Sequence, residues 1–262
     1  MAALFFDVDG TLVDSYHGIR GITPSVRAEL SRVQGLGHKI FLSSGRPRLL
    51  LTPDILDVDW DGLVLANGGY VEMDGQSVYE ECMGADLAGR LASYLESMGE
   101  PYLIACARQI YTLRTNTAIR AFFEEAHPGI FDLDFDLSEV LSRAIKMETL
   151  IPREERPRVT RQVWEDFGGL ISCDGHGGEG TFELYPTAIS KAKGVEVVLQ
   201  RLGLTKADTY AFGDGTNDLE MIRACGCGVA MGNAEDEVKA EANIVCAPVW
   251  EDGVAQMLCE LF

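Results

Sequence analysis

The sequence is short of basic charge. Against 41 Asp and Glu it carries 22 Lys and Arg, for a net charge of −19. So acidic a chain is a poor partner for nucleic acid or for an anionic membrane surface. Long hydrophobic runs are also missing. None approaches the ~20 residues that span a bilayer, and Met1 to Phe6 has no basic segment of the kind that opens a signal peptide. No membrane partner is expected, and a cytoplasmic location is the default expectation. Cysteine is present without a pairing pattern. The seven, at 82, 106, 173, 225, 227, 246 and 259, are odd in number and include no CxxC pair. That argues against a disulfide framework or a zinc site, and for small, mostly buried hydrophobes in a reducing compartment. The chain contains no GxxxxGK[ST] loop, no GxSxG elbow and no HExxH helix. The commonest nucleotide-hydrolase, esterase and zinc-protease readings are thereby removed. Tandem repeats and low-complexity segments are absent too.

What is there starts with enough apolar residues, 47% of 262, for one large domain or two modest ones. The stretch Ala2 to Thr11 reads AALFFDVDGT, a short apolar run that stops at Asp7 and Asp9. Such a run reads as a buried strand with both aspartates at its carboxyl end, where open α/β sheets bind ligands. Alternation puts positions 7 and 9 on one side with Val8 opposite, so the two carboxylates are expected to converge and to need a cation or a proton between them. A turn or helix-capping pair is the plainer alternative. An EF-hand loop is excluded, because the sixth position from Asp7 is Leu12 and no helix precedes it.

Further along, Leu12 to Ile22 reads as a loop or flap. Thr23 and Pro24 then start a helix with Val26, Leu30 and Val33 on one face, ended by Gly35 and Gly37. Lys39 to Ser44 is a second strand, making a βαβ unit, and it stops at the polar turn SSGRP. A third apolar run, Gly62 to Ala66, enters Asn67, Gly68 and Gly69, and Asp74-Gly75 marks a hairpin. From Cys82 to about Pro186 the rhythm changes to helix, hairpin, helix, strand, helix, hairpin: Ala85 to Met98, Tyr102 to Arg114, Thr117 to His127, Ala144 to Ile151, Arg153 to Phe167 and Leu170 to Tyr185. No strand there ends in a convincing acidic turn, so residues 82–186 read as an inserted domain between the halves of a core, 1–81 and 187–262. Helical spacing resumes over Lys191 to Leu202. The strand Thr209 to Phe212 then ends at GDGTND, residues 213–218, and a last βα-like stretch runs through MGNA (231–234) to Asn243–Ala247.

GDGTND adds Asp214, Asn217 and Asp218 directly after an apolar strand. Acidic turns at two strand ends make a hard-cation site with oxygen ligands, of the kind Mg²⁺ takes. Ser44 and Gly45 could offer a hydroxyl and an amide to phosphate oxygens, and Arg46 either joins them or is a surface arginine. Lys191, by position alone, is an ordinary first-turn lysine. The glycines of Gly226 to Gly232 look superficially like a dinucleotide loop, but they follow a helix and not a first strand.

Taken together, DVDGT at 7–11, SSGR at 43–46, Lys191 and GDGTND at 213–218 resemble the four ordered motifs of the haloacid dehalogenase superfamily. NGG at 67–69, MGNA at 231–234 and the position of the insert are similar to its Cof-type branch with a type IIB cap. The resemblance implies an α/β fold: a Rossmann-like, doubly wound parallel-sheet core with an inserted α+β cap that closes over the site. It implies a Mg²⁺-dependent phosphatase of small phosphorylated metabolites, sugar phosphates or similar. Asp7 would be the nucleophile that forms an aspartyl phosphate, and Asp9 the group that protonates the leaving oxygen and later activates water. Asp7, the Asp9 carbonyl and Asp214 would hold the metal, with Asp218 either a further ligand or a partner behind the ligands, and Ser44, the Gly45 amide, Lys191 and Asn217 would hold the phosphate. Around Lys191 the sequence reads SKAKG, and Lys193 is the alternative. Arg114, His176 and His17 are weighed as substrate selectors against plain surface roles. A phosphomutase relative and a non-catalytic ligand-binding regulator remain the competing readings. Nothing in the sequence specifies an oligomeric state.

Overall fold

The first apolar run forms a strand of four fully buried residues, β1 (Ala3–Phe6). The computed structural model describes residues 1–175 and 180–262. The chain divides into two compact units, one of Met1–Arg46, Leu51–Tyr79 and Ser190–Phe262, the other of Pro47–Leu50 and Glu80–Ile189. After β1 comes α1 (Pro24–Gly35), where the Thr23 side chain accepts the Val26 N–H and Val26, Leu30 and Val33 are buried. The chain continues through β2 (Lys39–Ser43), a short α2 (Pro53–Leu56), β3 (Gly62–Leu65), β4 (Tyr70–Met73) and β5 (Gln76–Glu80). Asp74 and Gly75 both have positive φ between β4 and β5, the backbone that a tight two-residue hairpin turn requires.

The second unit contains α3 (Ala85–Met98), β6 (Tyr102–Ala105), β7 (Ile110–Thr112), α4 (Thr117–Glu124), β8 (Phe131–Asp132), α5 (Leu137–Ser142), β9 (Lys146–Thr149), α6 (Arg156–Asp166), β10 (Ile171–Gly175) and β11 (Phe182–Pro186). Its sheet has the order β10-β11-β9-β6-β7-β8. Leu91 and Leu95 of α3 and Val159 and Val163 of α6 share a core with Ile104, Met147 and Leu184 on one sheet face. The other face carries Leu103, Ala105 and Ile110, packed with Ile119 and Phe123 of α4. Lys146 and Glu148 stand opposite Ala105 and Leu103, and Glu183 opposite Glu148, so a buried ion triad lies on this second face. Lys146 Nζ is 2.8 Å from Glu148 and 2.7 Å from Glu183.

The chain then returns to the first unit with α7 (Lys191–Leu202), β12 (Thr209–Gly213), α8 (Leu219–Ala224), β13 (Cys227–Ala230), α9 (Asp236–Glu241), β14 (Ile244–Val245) and α10 (Gly253–Leu261). The sheet order is β14-β13-β12-β1-β2-β3-β4-β5. Strands from β14 to β3 are parallel and β4 is antiparallel to β3. Ala3, Phe5, Phe41 and Ala211 meet Val195 and Val198 of α7 and Met221 of α8. Leu4 and Phe6 alternate to the other face, and α1 packs against β2 and α10. This is the Rossmann-like, doubly wound core. Because β1 lies between β2 and β12, which leave it in opposite directions across the sheet, its carboxyl end is the switch point where such sheets form a crevice. The glycines of Gly226 to Gly232 turn out to flank and occupy β13. At Gly228 a Cβ would lie 2.5 Å from Ile222 Cγ2, so that glycine serves helix-on-strand packing and not a dinucleotide loop. Among the described residues no helix is long and apolar enough to cross a membrane.

Candidate active site

Alternation along β1 places Asp7 on the side of Ala3 and Phe5, the side that α7 covers. The Asp7 N–H still donates to Phe212 O, 3.0 Å away, so the residue is held by the sheet as the strand ends. Ser190 is the N-cap of α7 and its hydroxyl accepts the Lys193 N–H, which makes Lys191 the first helical residue. Its Nζ lies 2.5 Å from Asp7 Oδ1 and 2.5 Å from Asp218 Oδ1. Lys193 points elsewhere and pairs with Glu196 at 3.2 Å. The close seating of α7 depends on small residues. A Cβ on Gly194 would come within 2.2 Å of Val64 Cγ1 on β3.

The turn after β12 is organised by Asp218, which is fully buried. Its Oδ2 accepts the N–H groups of Asp214 and Gly215 at 2.9 and 3.1 Å, folding GDGTND back on itself. Asp214 accepts the Thr11 hydroxyl at 3.3 Å. One ligand atom from each of Asp7, Asp214 and Asp218 lies within 4.8 Å of the others. Three carboxylates against the single Lys191 ammonium leave an excess of two negative charges when all are ionised. The electrostatics register that excess. Burial, then the Asp218 charge, pushes the Asp7 carboxyl up to about 7 despite Lys191. Burial, then Asp7 and Asp218, pushes Asp214 up to about 8. Burial works against the charged form of Lys191, but Asp218 and Asp7 outweigh it and raise its pKa. A hard divalent cation suits this donor set in charge and in ligand type.

Asp9 departs from the expected convergence. Its two oxygens accept a bidentate pair from Arg46, Nε at 2.8 Å and Nη2 at 2.6 Å. The carboxylates that converge with Asp7 are Asp214 and Asp218 instead. The physical reason is that the chain leaves the strand after Phe6 and turns at Gly10, φ +84°, so period-two alternation no longer governs position 9. Arg46, left open between two roles by the sequence, is thus a partner of Asp9.

Ser44 and Gly45 are buried just past β2. Ser44 Oγ accepts the Arg46 N–H at 3.1 Å, and Ser44 O accepts the Asn67 N–H at 3.1 Å. Asn217 donates from Nδ2 to Asn67 Oδ1 at 3.3 Å. Asn67 therefore touches two of the expected phosphate ligands; the sequence marked it as a turn residue and as part of the NGG resemblance, without a role in the site. Asn233, within MGNA, donates to Gly10 O at 2.8 Å and accepts the Val249 N–H at 2.9 Å; it steadies the loop that carries Asp9. A glycine-rich or Asn-containing turn directly after a parallel strand was the available signal for both. Of the weighed selectors, Arg114 is exposed and pairs with Asp134. His17 is exposed, pairs with Asp14 and stacks near Trp250. His176 lies outside the described residues.

Residues 4–258 match the family model of the haloacid dehalogenase-like hydrolases. "Putative phosphatase YkrA" of Bacillus subtilis (strain 168) is 31% identical over 265 residues, covering 98% of this chain and 96% of that protein. The 5-amino-6-(5-phospho-D-ribitylamino)uracil phosphatase YitU of the same organism is 26% identical, with 98% and 96% covered. Among solved structures, the HAD subclass IIB sugar phosphatase BT4131 superposes with a TM-score of 0.84 at 27% identity, covering 99% of this chain and 98% of that one.

Proposed function

The chain belongs to the haloacid dehalogenase-like hydrolase family, and from that premise we propose a Mg²⁺-dependent phosphatase of small phosphorylated metabolites that works through an aspartyl phosphate on Asp7. The observation that carries this reading is the cluster itself: a buried Asp7 at the switch point, held by Lys191 and grouped with Asp214 and Asp218. Asp7, the Asp9 carbonyl, Asp214 and Asp218 would hold Mg²⁺. When bound, the cation supplies the positive charge that lets an anionic carboxylate meet an anionic phosphate.

The remaining work falls to the chain's own groups. An oxygen of Asp7 attacks phosphorus while the ester P–O bond breaks, and the departing oxygen takes a proton from Asp9. Water then attacks the acyl phosphate, Asp9 takes its proton, and orthophosphate leaves with the Asp7 carboxylate restored. Lys191 fixes the orientation of Asp7, and its third N–H is the one that a phosphate oxygen would accept from. The Ser44 hydroxyl, the Gly45 amide and the Asn217 carboxamide take the other oxygens. Between steps Arg46 holds the Asp9 carboxylate, and the pair opens for Asp9 to carry the proton. The second unit is read as the type IIB cap, the part that selects the leaving group. A sugar phosphate or a similar metabolite is supported by what the relatives are named for. All seven cysteines are free, which supports action in the reducing cytoplasm.

The test is release of orthophosphate from p-nitrophenyl phosphate with Mg²⁺ and without any bisphosphate. Turnover that is lost in Asp7→Asn supports the proposal. A strict need for a bisphosphate would point to a phosphomutase, and no turnover with any ester would point to a binding protein.

A further inference from the structure

Three consecutive residues after β3 have left-handed backbone: Ala66 at φ +49°, Asn67 at +55° and Gly68 at +94°. Glycine adopts this region freely and asparagine often, whereas alanine does so at a cost. Strain of this kind persists only where the surroundings over-determine it, and it gathers at functional sites. All three residues are buried.

Their contacts lead to the turn after β2, the turn after β12 and the start of α7. The Ala66 N–H donates to Arg46 O and the Asn67 N–H to Ser44 O, both at 3.1 Å, which clamps the turn after β2. The Asn67 carboxamide accepts from Asn217, from the turn after β12. Gly68 lies against the start of α7, where a Cβ would come 2.0 Å from Ser190 O and 3.2 Å from Lys191 N. One short turn thus contacts the segments that present Ser44, Asn217 and Lys191, which come from three separate parts of the chain.

We propose that the turn Ala66–Gly68 is the positioning element of the phosphate subsite, with Asn67 as the residue that sets Asn217 and the turn after β2 against each other. This rests on the phosphatase reading for the roles of Ser44, Asn217 and Lys191, but not for the geometry that joins them. Asn67 is a positioning residue, since it acts through its neighbours.

The test uses the full-length Mg²⁺-loaded protein, with inorganic phosphate as the probe in titration calorimetry. Asn67→Gly keeps the left-handed backbone without strain and removes the carboxamide. It is expected to weaken orthophosphate binding about tenfold, the worth of one positioned hydrogen bond. KM for p-nitrophenyl phosphate should rise by a similar factor while kcat changes less. Asn217→Ala cuts the same bond from its other end, and the double variant should be no worse than the poorer single one, the signature of coupled residues. If Asn67→Gly binds orthophosphate like wild type, if the two losses add, or if the wild type binds no orthophosphate, the proposal is overturned. If orthophosphate binding shows the coupled pattern while no ester is turned over, the positioning role stands and the phosphatase reading falls.

Discussion

Lys191 Nζ lies 2.5 Å from Asp7 Oδ1 across 184 residues of chain, with the lysine wholly excluded from solvent. A buried ammonium in that place neutralises part of the carboxylate cluster, and its loss leaves charges without a partner. Lys191→Ala is therefore expected to lower the unfolding free energy of the metal-free protein by about 3–5 kcal/mol, read by urea denaturation in EDTA. Asp7→Asn removes a carboxylate from the same cluster and is expected to stabilise the metal-free fold while lowering turnover by about 10⁴-fold or more. Equal stability losses in the two variants would show that charge excess does not govern this cluster.

The raised carboxyls make a prediction about pH. Asp7 and Asp214 move from 3.8 to about 7 and about 8 in the fold. Between those limits the folded state binds more protons than the unfolded one, so stability without metal falls as pH rises across that window. On the proposed reading, bound Mg²⁺ would take the place of those protons and relieve the repulsion. The gain in Tm on replacing EDTA by Mg²⁺ is expected to be small near pH 5 and to grow up to about pH 8. A gain that is flat with pH would contradict the assignment of these groups.

Gly10 gives a steric prediction. It has φ +84°, and a Cβ there would sit 2.0 Å from Asp214 Oδ2. Gly10→Ala both strains the backbone and displaces a cluster carboxylate. The Mg²⁺ concentration for half-maximal activity should rise by about tenfold or more, the scale on which misplaced ligand support acts.

The Arg46–Asp9 pair allows the proposed acid role of Asp9 to be tested apart from phosphate binding. Arg46→Ala frees the carboxylate that the bidentate pair now orients. Alkyl phosphates, whose leaving oxygen needs a proton, should lose about 10²-fold in kcat, whereas p-nitrophenyl phosphate should lose far less. An equal loss on both substrates would assign Arg46 to phosphate binding.

In the second unit, Lys146 sits between Glu148 and Glu183 with all three buried. Burial alone would lower the lysine's pKa, but the two glutamates raise it. The stability it contributes is complete below the unfolded lysine value and is lost only as pH climbs through the raised folded one. Lys146→Met strands two like charges and should cost about 3–5 kcal/mol; Lys146→Met with Glu148→Leu and Glu183→Leu should recover most of that. Chemical denaturation of both variants checks the pair of expectations.

Much of the fold was legible because the signals were local. Thr23 and Pro24 mark the start of α1, apolar runs mark β1, β2, β3 and β12, and Asp74-Gly75 marks the hairpin. The alternation of elements over 85–186 is close to that observed. β13 was hidden because Cys227–Ala230 lies among the closely spaced glycines 226, 228 and 232, which break its apolar run. α2, α5 and β8 are too short to show a period.

The candidate site divides along the same line. Asp7, Asp214, Asp218 and Ser44 could be named because each follows an apolar run, a pattern written in neighbouring residues; Lys191, an ordinary first-turn lysine by position, could be named only through the family resemblance. Which of them share a charge was decided by the tertiary structure. Sheet order sets β12 and β2 on either side of β1, and glycines at 68 and 194 let α7 approach. Only then do Asp7, Asp214 and Asp218 crowd one ammonium while Asp9 goes to Arg46. Coulomb energy depends on distance in space, and distances between strand ends hundreds of residues apart are fixed by packing, which no local pattern encodes.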